Sequence, residues 1–351
     1  MFIDISILYH INLLNNIFMN FLKNKTILIT GGTGSFGSNF TNELLKNKYN
    51  IKKIIIFSRD ELKQFELQKK FQNNAKKLRF LLGDIRDKER LIYAFKNVDI
   101  VIHAAALKQV PAAEYNPLEF IKTNVLGSQN VIEACINAKV KKVIALSTDK
   151  AVSPLNLYGA TKLCADKLFL SANNITGDQD ISFSIVRYGN VLGSRGSILD
   201  EFAKQYKNKL KFNITDMEMT RFNILMKDAI DLVTWSINNL KGGEIVIPKL
   251  KSFRIRDLAK SFNINAKFNV IGVRPGEKIH EELMGKADGF ETFELSDKYL
   301  IISNQLINNK YKNSKLKKIK RYFSYNSLEN DFLSVNEIKD LIKKNFSNLL
   351  F

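Results

Sequence analysis

Residues 26–37 have the sequence TILITGGTGSFG, in which a short apolar run passes directly into closely spaced glycines. Gly31, Gly34 and Gly37 permit a tight turn, close approach of the backbone to a pyrophosphate, and close packing of a helix on a strand. The N-terminus of the following helix offers N–H donors to phosphates. The stretch therefore predicts a strand, a dinucleotide-binding turn and a helix. The loop residues expected to bind the cofactor are Gly31, Thr33, Gly34, Ser35, Phe36 and Gly37.

Further short apolar runs, separated by helix-like sequence, lie at residues 53–57, 78–82, 98–102 and 142–146. Continuous apolar strands that alternate with helices indicate a parallel sheet covered on both faces. We therefore predict an α/β fold with a doubly wound parallel Rossmann sheet, whose ligands lie at the carboxyl ends of the strands. From about Asn190 the alternation loosens into loops with glycine and proline. This change predicts a smaller, interleaved C-terminal substrate-binding lobe.

The predicted domain organisation has three parts. They are an N-terminal extension (1–22), a Rossmann domain (23–190, with a returning segment near 225–248) and a substrate-binding lobe (191–224 and 249–351). The extension contains Asp4 and lacks a small-residue cleavage site, so we do not expect a secretory signal. The true start could be Met1 or Met19, and the sequence leaves both open.

The 351-residue chain has a formal net charge of +19, which can indicate nucleic acid or an anionic membrane as partner. The basic residues are spread over most of the chain and no nucleic-acid-binding motif stands out, so we expect no such partner. No apolar run is long enough to span a bilayer. Cys135 and Cys164 form neither a disulfide framework nor a metal cluster. We expect buried, reduced thiols, no metal, and a cytoplasmic location.

The second predicted strand ends in Ser58-Arg59-Asp60. An acidic residue in this place would hold the ribose 2′-hydroxyl of NAD, whereas an arginine can bind the 2′-phosphate of NADP. Arg59, with Ser58 and Lys63, therefore favours NADP; the alternative is a surface arginine paired with Asp60 or Glu61. Beyond the glycine loop, the residues expected to bind the cofactor are Ser58, Arg59, Asp60, Lys63, Asp84, Ile85, Ala104, Ala105, Ala106, Lys108, Tyr158 and Lys162.

The fifth predicted strand is followed by Thr148-Asp149-Lys150, and then by Tyr158 and Lys162. Tyr158 and Lys162 lie one helical turn apart, where the lysine charge favours the phenolate and lets the tyrosine act as a base. The pattern Y-x-x-x-K occurs by chance in many helices, but after this glycine loop and the fifth strand it is typical of short-chain dehydrogenases/reductases. Asp149 and Lys150 can divide acid and base roles; the alternative is a loop ion pair.

Longer blocks of the sequence closely resemble one family. Together with the glycine loop they cover roughly residues 26–285, and they are SRDELKQ, HAAALKQVPAAEYNP, NVLGSQNVIEAC, ALSTDKAVSPLNLYGATKLCADKLF, RYGNVLGSRGS, GGEIVIPK and RPGEKIHE. These blocks are similar to the UDP-N-acetylglucosamine 4,6-dehydratases, specifically the short, soluble, C5-inverting lyases that begin pseudaminic acid synthesis for flagellin glycosylation. The resemblance implies an NADP-dependent, homo-oligomeric enzyme that acts on UDP-N-acetylglucosamine.

The resemblance also implies a redox-neutral cycle. A hydride passes from C4 of the sugar to NADP⁺ while Tyr158, with Lys162 beside it, takes the hydroxyl proton and Thr148 binds the C4 oxygen. Lys150 then removes the C5 proton, and Asp149 protonates the departing C6 hydroxyl. The hydride returns to C6, and C5 is reprotonated from the opposite face to give a UDP-2-acetamido-2,6-dideoxy-hexos-4-ulose. As a base, Lys150 needs a lowered pKa, which burial beside a cofactor would supply.

Further positions match those that line the sugar-nucleotide pocket of the family, where the planar fork of an arginine suits a pyrophosphate. They are Lys108, Asn190, Arg195, Gly196, Ser197, Thr220, Arg274 and Glu277. At Asn223 the family usually carries an aromatic residue, so this position departs from the pattern. His103, which lies among apolar residues at the end of the fourth strand, is expected to be packed and neutral.

Several alternatives stay open at this point. A C5-retaining dehydratase would carry N-terminal transmembrane helices and a methionine in place of Tyr158. A nucleotide-sugar 4-epimerase would lack the pair of Asp149 and Lys150. A catalytically silent NADP-binding or nucleic-acid-binding protein would have no physical need for the complete set of Thr148, Asp149, Lys150, Tyr158 and Lys162.

Overall fold

The computed structural model describes residues 22–46, 49–194, 196–303, 306, 307, 310, 311 and 316–349. A large sheet lies at the centre of this part of the chain, and its core is parallel. In spatial order its parallel strands are β3 (Leu78–Leu82), β2 (Lys53–Ser58), β1 (Thr26–Thr30), β4 (Ile100–His103), β5 (Lys142–Thr148), β6 (Ser182–Tyr188) and β9 (Ile245–Pro248). The strand order reverses between β1 and β4, where a crevice opens at the carboxyl ends. The predicted doubly wound α/β fold is confirmed.

Antiparallel strands extend this sheet beyond β9. They are β14 (Lys298–Ile301), β13 (Thr292–Leu295) and β15 (Lys317–Lys318). In the predicted domain organisation all of 249–351, together with 191–224, lies in the smaller lobe, but these strands belong to the main sheet. The reason is that the hairpin of β13 and β14 pairs with β9, and so satisfies backbone groups that an open edge at β9 would leave unpaired.

Side chains of each central strand pack on both faces of the sheet. Ile27 and Ile29 lie in one core and Leu28 in the other, because successive strand residues point to opposite faces. The α-helices of the described residues are α1 (Ser35–Leu44), α2 (Glu61–Lys70), α3 (Lys88–Ala94), α4 (Val110–Tyr115), α5 (Pro117–Phe120), α6 (Gly127–Asn137), α7 (Leu157–Ser171), α8 (Ile198–Lys207), α9 (Met226–Asn239), α10 (Ile255–Phe262) and α11 (Val335–Asn345). The other helical segments are a π-helical stretch at Ile121–Leu126 and 3₁₀ turns at Gln72–Lys77, Asp149–Ala151, Ala172–Asn174, Asp288–Glu291 and Ser347–Leu349.

A smaller lobe has its own core, in which Phe202, Phe212 and Phe262 are buried. Its strand pairs are β7 (Phe212–Ile214) with β11 (Phe268–Val270), β8 (Thr220–Phe222) with β10 (Ser252–Arg254), and β12 (Glu282–Met284) with β16 (Tyr325–Asn326). Asn156 joins this lobe to the main sheet, because its Nδ2 donates to the backbone oxygen of Gly276 at 2.7 Å. The lobe therefore faces the loop that follows β5.

Other sequence-based expectations concern the membrane, the cysteines and the N-terminus. No helix in the described ranges combines the length and apolar character needed to cross a membrane. Cys135 is buried as expected, but Cys164 is exposed, because it lies on the outer face of α7. Residues 1–21 of the expected extension, Met19 included, lie outside the described residues.

Candidate active site

The glycine loop lies between β1 and α1, as predicted. Gly31 has a φ of +66°, and a Cβ on it would lie 2.9 Å from the backbone Cα of Ala105. A Cβ on Gly37 would lie 2.5 Å from the Cα of Gly32. Only glycine fits these contacts. Gly34 is the N-cap residue of α1, and the helix has no side-chain cap there. The loop thus fits a dinucleotide, because its backbone can approach a pyrophosphate at a helix N-terminus.

A cavity of about 1040 Å³ extends from this loop past the carboxyl end of β5 to the smaller lobe. This volume is at the top of the range usual for one small ligand, as expected of a site for a dinucleotide beside a substrate. The residues singled out from the sequence that line the cavity are Gly31, Thr33, Gly34, Ser35, Phe36, Gly37, Ser58, Arg59, Asp60, Lys63, Asp84, Ile85, Ala104, Ala105, Ala106, Lys108, Thr148, Asp149, Lys150, Tyr158, Lys162, Asn190, Gly196, Ser197, Arg274 and Glu277.

The end of β2 contains the residues expected to distinguish NADP from NAD. The hydroxyl oxygens of Thr33 and Ser58 lie 2.8 Å apart, which ties this strand end to the glycine loop. Asp60 caps α2 by accepting from the backbone N–H of Lys63 at 2.9 Å. Its other oxygen accepts from the Lys63 ammonium at 2.5 Å. The Asp60 carboxylate is therefore already engaged at both oxygens.

Arg59 pairs with neither Asp60 nor Glu61 in the described structure. Its Nη1 lies 3.8 Å from Oδ2 of Asp84, and 55% of its side chain is exposed. Arg86 is the closer partner of Asp84, at 2.7 Å. Burial acts to raise the pKa of Asp84, but the hydrogen bonds and charge of Arg86, aided by Arg59, lower it below its ordinary value. Arg59 thus makes a long ion pair, and its guanidinium stays accessible at the cavity.

Thr148, Asp149 and Lys150 form a buried polar group where β5 ends. The Thr148 hydroxyl donates to Oδ1 of Asp149 at 2.8 Å, and the Lys150 ammonium donates to the same oxygen at 3.1 Å. The Asp149 side chain is 1% exposed and the Lys150 side chain 20%. A Cβ on Gly159 of α7 would lie 2.2 Å from the backbone oxygen of Lys150, so the loop packs tightly on the helix.

Glu281 completes this group from the smaller lobe. Its Oε1 lies 3.1 Å from Nζ of Lys150 and 3.7 Å from Nε of Arg221. Glu281 is not among the site residues predicted from the sequence. The signal that could have found it is the block RPGEKIHE, of which it is the last residue. Nothing in that block says which of its charged side chains reaches the end of β5.

Asp149, Lys150 and Glu281 change one another's pKa values. Burial acts to lower the pKa of Lys150, but the charges of Asp149 and Glu281 outweigh it and raise that pKa above its ordinary value. The expected lowering is therefore wrong, because two carboxylates lie within hydrogen-bonding distance of the ammonium. Burial raises the pKa of Asp149, and the charge of Glu281 adds to the rise while Lys150 opposes it. Burial also acts to raise the pKa of Glu281, but Lys150 and Arg221 bring it below its ordinary value.

Tyr158 and Lys162 lie on α7, one turn apart, as predicted. Burial raises the pKa of Tyr158 to about 12, while Lys150 and a hydrogen bond with Thr148 act to lower it. Lys150 is thus the cation that lowers the Tyr158 pKa most, whereas the sequence pattern predicted that Lys162 would do so. The Lys162 ammonium donates to the backbone oxygen of Leu146 at 2.9 Å, and burial lowers its pKa.

One residue expected to contact the substrate, Thr220, does not line the cavity. Thr220 is buried outside the cavity, with its Oγ1 2.8 Å from Nδ1 of His280 and 2.7 Å from Oγ of Ser327. The next residue, Arg221, lines the cavity instead. The reason is that successive residues of a strand point to opposite faces, and β8 turns Arg221 toward the ligand side.

Arg274 and Glu277, two further residues expected to bind the substrate, line the cavity. Arg274 is exposed at the edge of the cavity, and Oε1 of Glu277 lies 3.8 Å from Nη2 of Arg221. Arg195 lies outside the described residues. Asn223 is not among the residues that line the cavity; its backbone N–H donates to the oxygen of Lys251 at 2.9 Å. The departure from the family pattern at Asn223 therefore does not change the cavity wall directly.

His103 is packed and neutral, as expected. Its Nδ1 lies 2.8 Å from Oγ1 of Thr30 and its Nε2 lies 3.3 Å from Oγ of Ser128. The ring centroid lies 5.3 Å from that of Phe169. Burial, with the charge of Lys162, lowers the pKa of His103 to about 3. The residue therefore supports β4 and carries no charge at neutral pH.

Comparison with known proteins finds relatives over most of the chain. A family model described as polysaccharide biosynthesis protein matches residues 27–303. A UDP-N-acetylglucosamine 4,6-dehydratase (inverting) from Campylobacter jejuni is 50% identical over 327 residues, which cover 91% of this chain and 97% of that protein. A UDP-glucose 4-epimerase from Rickettsia akari is 40% identical over 326 residues, which cover 91% of this chain and 95% of that protein.

Solved structures share the fold. Pen from Bacillus thuringiensis aligns with a TM-score of 0.85 and 39% identity, and covers 93% of this chain and 100% of its own. DesIV, a dTDP-glucose 4,6-dehydratase from Streptomyces venezuelae solved with NAD and TYD bound, aligns with a TM-score of 0.64 and 20% identity. That alignment covers 72% of this chain and 86% of DesIV. At this lower identity DesIV supports the fold alone.

Proposed function

The chain belongs to the polysaccharide biosynthesis protein family, and from this premise we propose that it is a C5-inverting UDP-N-acetylglucosamine 4,6-dehydratase, a lyase. The observation that carries the proposal is the buried pair of Asp149 and Lys150 at the end of β5, beside Tyr158 on α7. Oxidation of an alcohol needs one acid–base group. Loss of water from neighbouring carbons needs two more, a base that takes the C–H proton and an acid that protonates the departing hydroxyl. The relative from Campylobacter jejuni, at 50% identity, supports the same reaction.

A nicotinamide dinucleotide at the glycine loop would supply a hydride acceptor that each cycle regenerates. We assign NADP rather than NAD on the contacts of Arg59. Its guanidinium is accessible and suits a phosphate, whereas Asp60 is already engaged by Lys63 at both oxygens. Asp84, Ile85 and the alanines after β4 form the remaining wall of the cofactor site.

In the oxidation step Tyr158 takes the proton of the C4 hydroxyl, and Thr148 binds the C4 oxygen. Both side chains line the cavity. Tyr158 needs a lower pKa than burial alone gives it, and Lys150 is the cation that acts most strongly in this direction. Lys162 holds its charge next to β5 through the backbone oxygen of Leu146. The positive charges of Lys150 and Lys162 thus favour the phenolate.

In the elimination step Asp149 donates a proton to the departing C6 hydroxyl, and Lys150 takes the proton of C5. Asp149 suits the acid part because burial raises its pKa, so that it holds a proton where an exposed carboxyl would not. Lys150 acts as a base only as the amine. Its ammonium proton must first pass to a carboxylate, and Oε1 of Glu281 lies 3.1 Å away.

The smaller lobe is proposed to bind the sugar nucleotide. Arg274, at the edge of the cavity, would contact the pyrophosphate through its planar fork, and Arg195 is a second candidate. Asn190, Gly196, Ser197, Lys108 and Glu277 would line the sugar and nucleotide positions. On this assignment the lobe, formed by 191–224 and by 249–351 apart from β13, β14 and β15, supplies substrate contacts, and the Rossmann domain at 23–190 supplies the cofactor site.

The proposal extends to the biological setting. The product, a UDP-2-acetamido-2,6-dideoxy-hexos-4-ulose, would enter pseudaminic acid synthesis for flagellin or surface glycosylation. We propose a cytoplasmic location and a homo-oligomeric state. The support is the resemblance of the blocks between residues 26 and 285 to enzymes of that pathway.

One incubation tests the reaction. Purified protein is mixed with UDP-N-acetylglucosamine in D₂O without added nucleotide, and the product is examined by NMR. We expect a 4-keto-6-deoxy sugar with deuterium at C5 and the inverted C5 configuration, because reprotonation uses solvent-derived hydrogen. A product without deuterium at C5, or with the original configuration, would replace this proposal with the retaining dehydratase. A stoichiometric need for NADP⁺ would indicate a simple dehydrogenase.

A nucleotide-sugar 4-epimerase is the second candidate. It is favoured by the relative from Rickettsia akari, which is 40% identical and bears that name. The same incubation separates the two reactions, because an epimerase leaves the C6 hydroxyl in place and inverts C4. Substitution of Asp149 or Lys150 should abolish a dehydratase, whereas an epimerase that uses Tyr158 alone would keep most of its activity.

A further inference from the structure

One ammonium group lies between two buried carboxyl groups. Nζ of Lys150 is 3.1 Å from Oδ1 of Asp149 and 3.1 Å from Oε1 of Glu281. The two acidic side chains are only 1% and 2% exposed. Among the described residues, neither Oδ2 of Asp149 nor Oε2 of Glu281 has a hydrogen-bond partner. Two buried carboxyl groups that share one ammonium repel each other, and a buried carboxyl oxygen without a partner favours the protonated form, so one of the two groups is expected to hold a proton.

The surrounding charges favour a proton on Asp149. Glu281 has a second cation, since Nε of Arg221 lies 3.7 Å from its Oε1. Arg221 is itself fixed by the backbone oxygens of Thr220 and Ile279, at 2.7 Å and 2.9 Å. In the described part of the chain, the ion pair of Asp149 is with Lys150 alone. Glu281 is therefore the carboxyl group that keeps its negative charge.

Other groups around Asp149 do not change which of the two carboxyl groups is expected to hold the proton. The positive charge of Lys278 acts on both Asp149 and Glu281. Tyr158 faces Asp149 from α7 and is protonated at neutral pH, because burial raises its pKa to about 12. The Thr148 hydroxyl donates to Oδ1 of Asp149 and leaves Oδ2 unpaired. A Cβ on Gly189 would lie 3.2 Å from that Oδ2, so only a small group fits beside it.

The position of Glu281 is set by the backbone of the smaller lobe. Its N–H donates to Oγ of Ser327 at 2.9 Å, and its oxygen accepts from the N–H of Ser327 at 2.8 Å. The Ser327 hydroxyl lies 2.7 Å from that of Thr220. Thr220, which the sequence suggested as a substrate contact, thus belongs to the support that holds Glu281 against Lys150.

We propose that Glu281 is a positioning residue that acts through Asp149: by sharing Lys150 and carrying the negative charge in the substrate-free site, it holds the proton on the Asp149 carboxyl. The inference rests on the proposed function for its purpose, because that proton is the one donated to the departing C6 hydroxyl. The proton leaves the Asp149 carboxyl as the C6–O bond breaks and water forms. Without Glu281, Asp149 and Lys150 would form an ordinary ion pair, and Asp149 would have no proton to give.

The test is infrared titration of the folded protein without substrate, with the side-chain carboxyl carbon of aspartate isotopically labelled. Wild type should show a protonated aspartic acid band at neutral pH, and Asp149→Asn should remove it. In Glu281→Gln the band should be lost at a pH lower by about one unit or more, because the like charge is gone. Glu282→Gln is the matched control, since it removes the adjacent carboxylate, which forms no ion pair with Lys150 in the described residues.

Absence of the band in wild type, or equal titration in wild type and Glu281→Gln, would overturn the inference. Circular dichroism reports whether Glu281→Gln folds; if it does not, the wild-type and Asp149→Asn spectra still decide whether Asp149 holds a proton. Where Glu281→Gln retains turnover, the basic limb of its pH–rate profile should move to lower pH by the same amount. The infrared result needs no substrate, so it stands apart from the product analysis that tests the proposed function.

Discussion

The Lys162 ammonium donates a hydrogen bond to the backbone oxygen of Leu146, 2.9 Å away on β5. This bond links the helix that carries Tyr158 to the strand that ends in Thr148. Within the described ranges the Lys162 ammonium forms no ion pair, so this hydrogen bond is what holds it beside β5. The position of Lys162 therefore depends on the sheet as well as on the helical spacing from Tyr158.

Tyr158→Phe should stop the reaction before any 4-keto sugar forms. The variant keeps the ring packed but loses the hydroxyl that takes the C4 proton, so a loss of about two to four orders of magnitude is expected. The measurement is reduced-cofactor absorbance on mixing with UDP-N-acetylglucosamine, with product NMR beside it. Appearance of the reduced cofactor at the wild-type rate would show that another group takes this proton.

Lys150→Ala should prevent loss of water, while the first oxidation continues at a reduced rate because Tyr158 loses a cation that favours its phenolate. Reduced-cofactor absorbance without dehydrated product is expected, and the loss of a positioned base corresponds to about 3–5 kcal/mol of transition-state stabilisation. Lys150→Arg is the control, because it keeps a positive charge beside Asp149 and Tyr158 but is not a base at neutral pH. Dehydration by Lys150→Ala at a near wild-type rate would place the base elsewhere, with Lys108 the next candidate.

Arg59→Ala should lower the preference for NADP over NAD. A charge-assisted contact with the 2′-phosphate is worth about 1.5–3 kcal/mol, which corresponds to a change of about 10- to 100-fold in the ratio of the two affinities. Calorimetric titration with both nucleotides measures that ratio. Arg79→Ala is a matched control, because Arg79 is exposed on the neighbouring strand and does not line the cavity. An unchanged ratio in Arg59→Ala would contradict the assignment.

His103 should make the protein less stable in acid. Burial lowers its pKa from 6.5 to about 3 in the folded protein, so between these values the unfolded chain binds a proton that the folded chain does not. Stability from this residue is therefore complete above the unfolded pKa and falls as pH falls below it. At about pH 5 the loss should be about 2 kcal/mol, from 1.36 kcal/mol per unit.

Urea unfolding of wild type and His103→Asn, at neutral and mildly acidic pH, measures this effect. The asparagine keeps a polar group near Thr30 but does not titrate, so its stability should depend less on pH. The variant is expected to be less stable than wild type at neutral pH, because the ring contact with Phe169 is lost. Equal slopes of stability against pH in both proteins would show that His103 is protonated in the fold.

Local sequence patterns predicted the glycine loop and most of the strand ends that line the cavity. The glycine spacing at Gly31, Gly34 and Gly37 requires a turn of one shape, and the structure has that turn between β1 and α1. Continuous apolar runs predicted the central strands because both faces of a parallel sheet are buried. The pairs Asp149–Lys150 and Tyr158–Lys162 are close in sequence, so their closeness in space follows from chain connectivity and helix geometry.

The sequence alone determined the fold, the glycine loop and which acidic, basic and phenolic groups lie near the end of β5. Only the tertiary structure decided that Arg221 rather than Thr220 faces the cavity, because strand alternation fixes the spacing of faces but not which face meets the ligand. It also brought Glu281 from the smaller lobe to Lys150, and so reversed the expected direction of the Lys150 pKa. A pKa depends on every charge within a few ångströms, and those neighbours are set by packing between distant segments.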